Sequence, residues 1–99
     1  PKTIFIEKVS SDNPKLISKI LAEKGCNKVL WECGPELATA SVRAGCIQEF
    51  ITFVAPKIIG GRKGMSPFSD FEFKSMQEVI NLNFQEINMY SKDIYLKSF

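Results

Sequence analysis

The residues best placed to do chemistry lie in one stretch, Val29-Leu30-Trp31-Glu32-Cys33-Gly34-Pro35-Glu36-Leu37-Ala38-Thr39-Ala40. Val29 to Trp31 is an unbroken apolar run of β-forming types, which predicts a short strand covered on both faces. Pro35 has the fixed φ favoured at a first helical position, Gly34 is the candidate N-cap, and Glu36 puts a carboxylate where it complements the helix dipole. A strand that hands a glycine to a helix start presents backbone N–H groups with no side chain in front of them, which suits a phosphate or another anion. A glycine here also serves simply to turn the chain, and the stretch alone leaves both readings open. Glu32 falls at the C-terminal end of the expected strand, where αβ sheets bind ligands and a carboxylate can hold sugar hydroxyls or pass a proton. Its simpler role is to pair with a lysine or a nearby N–H.

Cys26, Cys33 and Cys46 match no Cys-x-x-Cys spacing, and the chain has no histidine. No zinc site or other metal site is expected from them, and neither a Ser-His nor a Cys-His catalytic pair can form. The reading is three reduced thiols in a reducing compartment, with Cys33 a small buried residue. A second candidate is the loop Lys57-Ile58-Ile59-Gly60-Gly61-Arg62-Lys63-Gly64-Met65-Ser66-Pro67. Its glycines do not follow Gly-x-Gly-x-x-Gly, and Lys63-Gly64 inverts the Gly-Lys order of a phosphate loop. A basic glycine-rich loop can still meet a phosphorylated ligand, although solvated flexible loops are commoner.

The elements that must position these residues follow from the pattern. Lys2 to Lys8 alternates weakly and predicts a strand, followed by the turn Ser10-Ser11-Asp12-Asn13. Asn13 as N-cap and Pro14 as first helical residue start a helix to Lys24, with Leu16, Ile17, Ile20 and Leu21 facing inward and Lys15, Lys19 and Glu23 outward. Gly25 ends it. Strand, helix and strand in this order predict a right-handed parallel crossover. The helix from Pro35 is lined with small residues (Ala38, Thr39, Ala40, Ser41, Ala44), which favours close packing until Gly45 stops it. Ile47 to Val54 reads as a long central strand. Ser75 to Ile80 reads as a short helix with Glu78 at capping-box spacing. Leu82 to Met89 and Ile94 to Phe99, joined by Tyr90-Ser91-Lys92-Asp93, read as an antiparallel hairpin with one bulge near Gln85-Glu86. The expected fold class is α/β, a mixed sheet with a parallel βαβαβ section and a C-terminal antiparallel hairpin.

Composition limits the partners. The 99 residues suit a single domain, 1–99, of modest stability. Thirteen basic against eleven acidic side chains leave a net charge of +2, which is short of the excess expected for a nucleic-acid binder. No run approaches the roughly 18 apolar residues of a membrane span, and Pro1 to Ser10 lacks the organisation of a secretory signal. No nucleic acid and no membrane are therefore expected as partners.

The run Leu30-Trp31-Glu32-Cys33-Gly34-Pro35-Glu36-Leu37-Ala38, with Phe53-Val54-Ala55-Pro56-Lys57-Ile58-Ile59-Gly60-Gly61 following at a fixed interval, resembles the C-terminal part of the reductase domain of the bifunctional riboflavin-biosynthesis deaminase/reductase family. The Trp-Glu-Cys-Gly form resembles its cyanobacterial and plant branch, and the similarity spans roughly Pro14 to Phe99. The resemblance implies a dihydrofolate-reductase-like fold and an NADPH-dependent oxidoreductase acting on a small molecule. Such an enzyme reduces the ribosyl group of 5-amino-6-ribosylamino-uracil 5′-phosphate to the ribityl form. It further implies that Cys33, Gly34, Pro35, Glu36 and Leu37 face NADPH and that Glu32 lies beside the substrate ribose; no further catalytic residue is identified. Family members usually carry Glu-Gly-Gly or Glu-Ala-Gly at this turn, so Cys33 adds a side chain where the backbone approach is close.

The family's reductase domain is about twice as long as this chain. The expectation is a C-terminal portion of a longer domain, inactive by itself, located in the cytoplasm or, in a plant, in the plastid. Open strand edges in such a portion predict a homodimer or higher oligomer. A non-catalytic nucleotide- or phosphate-binding module, or an oligomerisation module, is the alternative.

Overall fold

The structure is a computed structural model that describes residues 13–61, 63–64 and 66–99. The expected strand Lys2 to Lys8 and the turn up to Asp12 lie outside the described residues, as do Arg62 and Met65 of the basic loop. The order of elements is α1 (Pro14–Glu23), α2 (Pro35–Arg43), β1 (Phe50–Val54), β2 (Phe84–Tyr90) and β3 (Asp93–Ser98). The chain forms two compact units. One contains residues 13–46 with Ser66–Asp70, and the other contains Ile47 onward through the sheet.

In the helical unit, both helices begin and end by local chemistry. Pro14 is the first helical residue of α1, and the Asn13 side chain accepts a hydrogen bond from the Leu16 N–H at 3.2 Å. At the end of α1, Gly25 N–H bonds Ala22 O at 2.9 Å and Cys26 N–H bonds Leu21 O at 3.0 Å. Gly25 holds φ +88°, so this is a Schellman close with the glycine in the left-handed region. α2 ends in the same way: Gly45 (φ +71°) bonds Val42 O and Cys46 bonds Ser41 O, both at 3.0 Å. Cys26 and Cys46 thus occupy equivalent positions, one residue past each closing glycine, and both are half-buried.

The helices pack on each other, and α2 buries Thr39 and Ser41. The Thr39 Oγ1 accepts a hydrogen bond from the Ser69 N–H at 2.8 Å, which fixes the Ser66–Asp70 segment to α2. Ile17, Ile20 and Leu21 of α1 are half-buried, while Leu16 is exposed. Among the described residues no hydrophobic side chain is fully buried.

The second unit is a three-stranded sheet of order β1-β3-β2, antiparallel throughout. Two expectations are corrected here. First, Val29 to Trp31 forms no strand, and Leu30 is 81% exposed rather than covered on both faces. A run of this length is held extended only by a neighbouring ladder, and its expected neighbour lies outside the described residues. The parallel βαβαβ section is accordingly absent from the described sheet. Second, the segment ending at Val54 is shorter than expected and, among the described residues, lies at an edge of the sheet; β3 is central there because its two sides pair with Phe50–Val54 and Phe84–Tyr90.

The hairpin and its bulge follow the sequence pattern. Tyr90 pairs with Asp93 across the two residues Ser91 and Lys92, and Ser91 takes φ +59°, as the primed hairpin turns demand at their first loop position. The register shifts between Phe84 and Glu86, leaving Gln85 as the extra residue. Residues 75–79 form only a turn, in which Glu78 N–H bonds Ser75 O at 3.2 Å and the Glu78 carboxylate accepts the Lys74 N–H.

Candidate functional site

The residues singled out by the sequence are consecutive, so the backbone itself brings them together at the start of α2. Gly34 is the N-cap, with φ −75° and ψ 176°, an extended conformation open to any residue. A Cβ built on Gly34 meets no atom within 4 Å. Neither backbone strain nor local packing therefore requires glycine at this position, and the approach to the helix start is open.

The first intrahelical bond is Ala38 N–H to Gly34 O at 3.1 Å. Pro35 has no N–H, and Gly34 has no side chain with which to cap the turn, so the N–H groups of Glu36 and Leu37 precede the helical ladder without a side-chain cap. Two such groups at the positive end of a helix dipole suit an anionic oxygen. Glu36 lies beside them and opposes an anion, although its carboxylate is exposed and screened by water. A phosphate there competes with that carboxylate for the same pole.

Glu32 and Cys33 are both exposed, whereas Pro35 and Leu37 are half-buried. Cys33 is thus not the small buried residue expected; with no flanking strand the turn carries it into solvent. Pro35 and Leu37 anchor the helix start, while Glu32, Cys33, Gly34 and Glu36 face water. One contributor had no signal in the sequence. Thr39, one turn into α2, holds the backbone of Ser69 across 30 residues, and a hydroxyl that receives a main-chain N–H leaves no pattern to read.

The basic loop belongs to the sheet unit as far as Gly64, while Ser66 and Pro67 belong to the helical unit. Gly60 and Gly61 there take φ +70° and +100°, the left-handed region that favours glycine, and Ile58 and Ile59 are almost fully exposed. In the same unit Lys97 lies 3.2 Å from the Glu49 carboxylate and 3.9 Å from that of Glu86. The hydrogen bond and charge of Glu49, aided by Glu86, hold the Lys97 ammonium above its ordinary value of 10.5. Among the described residues no group of three or more metal-binding side chains is assembled, and no helix is long and apolar enough to cross a membrane.

Comparison with known proteins gives this geometry a context. The riboflavin biosynthesis protein PYRR, chloroplastic, of Arabidopsis thaliana is 39% identical over 70 residues, covering 71% of this chain and 12% of that protein. The riboflavin biosynthesis protein RibD of Synechocystis sp. is 35% identical over 81 residues, covering 82% of this chain and 21% of that protein. This chain therefore spans less than a quarter of the length of these curated relatives. The solved structure of Acinetobacter baumannii RibD, form 2, superposes with a TM-score of 0.76 at 23% identity, over 96% of this chain and 25% of that one. The two helices and antiparallel sheet are thus part of a dihydrofolate-reductase-like α/β fold. The family described as RibD C-terminal domain matches residues 6–96, nearly the whole sequence, and this chain belongs to that family.

Proposed function

We propose that this chain supplies part of the reductase site of a riboflavin-biosynthesis deaminase/reductase and is the C-terminal portion of a longer reductase domain. The reaction is the reduction of the ribosyl group of 5-amino-6-ribosylamino-uracil 5′-phosphate to the ribityl form. The observation that carries the reading is the start of α2: an open approach at Gly34 and two uncapped N–H groups, at Glu36 and Leu37, in a chain of this family.

That donor set fits the phosphates of a nucleotide cofactor, and the cofactor on this reading is NADPH, which supplies a hydride when bound. Glu36 and Leu37 bind through their main-chain N–H groups, and Gly34 leaves room for them to be reached. Cys33 and Pro35 flank that approach. Cys33 adds a thiol to the exposed rim where the resembled pattern usually has glycine or alanine, so contact at this position involves a larger, polarisable side chain. Glu32, exposed just before the turn, accepts hydrogen bonds from the sugar hydroxyls and orients the ribosyl group. The substrate is a small molecule, and the expected assembly is a homo-oligomer. The compartment is the plastid if the source is a plant, in keeping with the chloroplastic PYRR relatives, and otherwise the cytoplasm.

The test is oxidation of NADPH on addition of the pyrimidine ribosyl phosphate, measured with the product of the full reading frame. Substrate-dependent oxidation supports the reading. Binding of NADPH without oxidation turns it into the non-catalytic module, and binding of neither ligand overturns it.

A further inference from the structure

Strand register sorts the side chains of the sheet onto two unlike faces, because directly paired residues of antiparallel strands project to the same side. One face carries Val54 from β1, Ile94 and Leu96 from β3, and Phe84, Ile87 and Met89 from β2. No paired position on that face holds a charged residue; the remaining members are Phe50, Thr52 and Ser98. The opposite face carries Asp93, Glu86 and Lys97, the last two ion-paired, together with Ile51, Asn88 and the edge-to-face rings of Phe53, Tyr90 and Tyr95. Charge distinguishes the two faces: the second carries three charged side chains, whereas the first carries none and leaves Phe84 57%, Ile87 62% and Met89 66% exposed.

A contiguous apolar surface crossing three strands marks a place where something else packs. Its lack of charge requires a partner that is itself apolar, such as the inner stripe of an amphipathic helix. The length of the related fold indicates where that partner comes from. Nearly all of this chain superposes on only a quarter of the RibD chain, so most of that polypeptide lies beyond the part this chain matches.

We propose that the face formed by Val54, Ile94, Leu96, Phe84, Ile87 and Met89 is the docking surface for the reductase-domain segment that precedes this chain in its full reading frame. This inference rests on the reading of the chain as part of a longer domain and names the surface through which the two parts are joined. Burying the face supplies the apolar core that the described residues lack by themselves.

The test uses the product of the full reading frame, prepared with photo-methionine, a near-isostere of methionine, so that Met89 carries the cross-linker. Light and heavy-isotope preparations are mixed before irradiation, which separates links within a chain from links between chains. The expected result is an intramolecular link from Met89 to residues upstream of Pro1. It should be accompanied by at least tenfold slower peroxide oxidation of Met89 in the native than in the urea-unfolded protein. Links to a second chain, links confined to residues 13–99, or oxidation of Met89 at the unfolded rate would each overturn the inference. Because substrate-dependent NADPH oxidation is assayed separately, an active enzyme whose Met89 is unprotected sinks the docking surface alone. An inactive protein with Met89 linked upstream sinks the functional reading alone.

Discussion

Replacing Gly34 with valine tests whether the start of α2 binds the cofactor or only turns the chain. The structure sets both sides of the comparison. Gly34 has φ −75° and ψ 176°, and a Cβ there meets nothing within 4 Å, so a β-carbon enters without backbone strain or collision. The remaining cost is that of a poor N-cap residue, on the order of 1 kcal/mol or less relative to glycine, against a typical stability of about 5–15 kcal/mol. The full-length protein should therefore stay folded. On the binding side, a branched side chain now stands in the approach to the Glu36 and Leu37 N–H groups, where a charge-assisted hydrogen bond contributes about 1.5–3 kcal/mol. Losing one of them weakens NADPH binding at least about tenfold, equivalent to roughly 1.4 kcal/mol. Gly34→Ala, with a smaller obstruction, should fall between the two. The assay is NADPH titration and thermal unfolding on the same full-length preparation. Affinity unchanged within about twofold in a folded Gly34→Val protein would refute the reasoning and leave the turn as a chain reversal.

Four further outcomes are expected. In the full-length enzyme Glu32→Gln should lower turnover far more than it lowers the unfolding temperature, since Glu32 is exposed; an unchanged rate removes it from the site. Thr39→Val leaves the part-buried Ser69 N–H without its acceptor and should cost about 1–3 kcal/mol in denaturant unfolding, while Thr39→Ser should restore most of it; equal losses would show that the methyl group matters, not the hydroxyl. Ser41→Ala should be neutral or stabilising by about 1 kcal/mol, because the buried Ser41 Oγ has no hydrogen-bond partner among the described residues, and a clear loss of stability would reveal one. Lys97, whose pKa is raised by Glu49 and Glu86, contributes stability that is complete below its ordinary value of 10.5 and lost as pH rises through the higher folded value. The difference in unfolding temperature between the natural protein and Lys97→Met should accordingly shrink only above that pH, and a constant difference would assign the effect to packing of the lysine stem.

The sequence by itself determined what is set within a few residues. Asn13-Pro14 and Gly34-Pro35 start the helices because proline fixes φ and a cap or a bare glycine fits beside it, and Gly25 and Gly45 end them because the left-handed close admits little else. The Ser91-Lys92 turn and the bulge at Gln85 were legible for the same reason: turn length and the phase of alternating apolar residues fix a hairpin locally. The candidate site was legible as an address, since its residues are consecutive, but not in its geometry. The φ of Gly34, the open space in front of it and the exposure of Cys33 depend on what the rest of the chain leaves uncovered. Tertiary structure also decided which apolar run became a strand. Val29 to Trp31 has strand-forming residues but no ladder among the described residues, whereas Phe50 to Val54 has one because Ser98 to Ile94 runs beside it. The β1–β3 pairing that makes β3 central, the Thr39–Ser69 bond and the pairing of Lys97 with Glu49 all join residues 30 or more positions apart. A hydrogen bond or ion pair between distant residues depends on the closure of the intervening chain, and no local propensity encodes which partner that closure will bring.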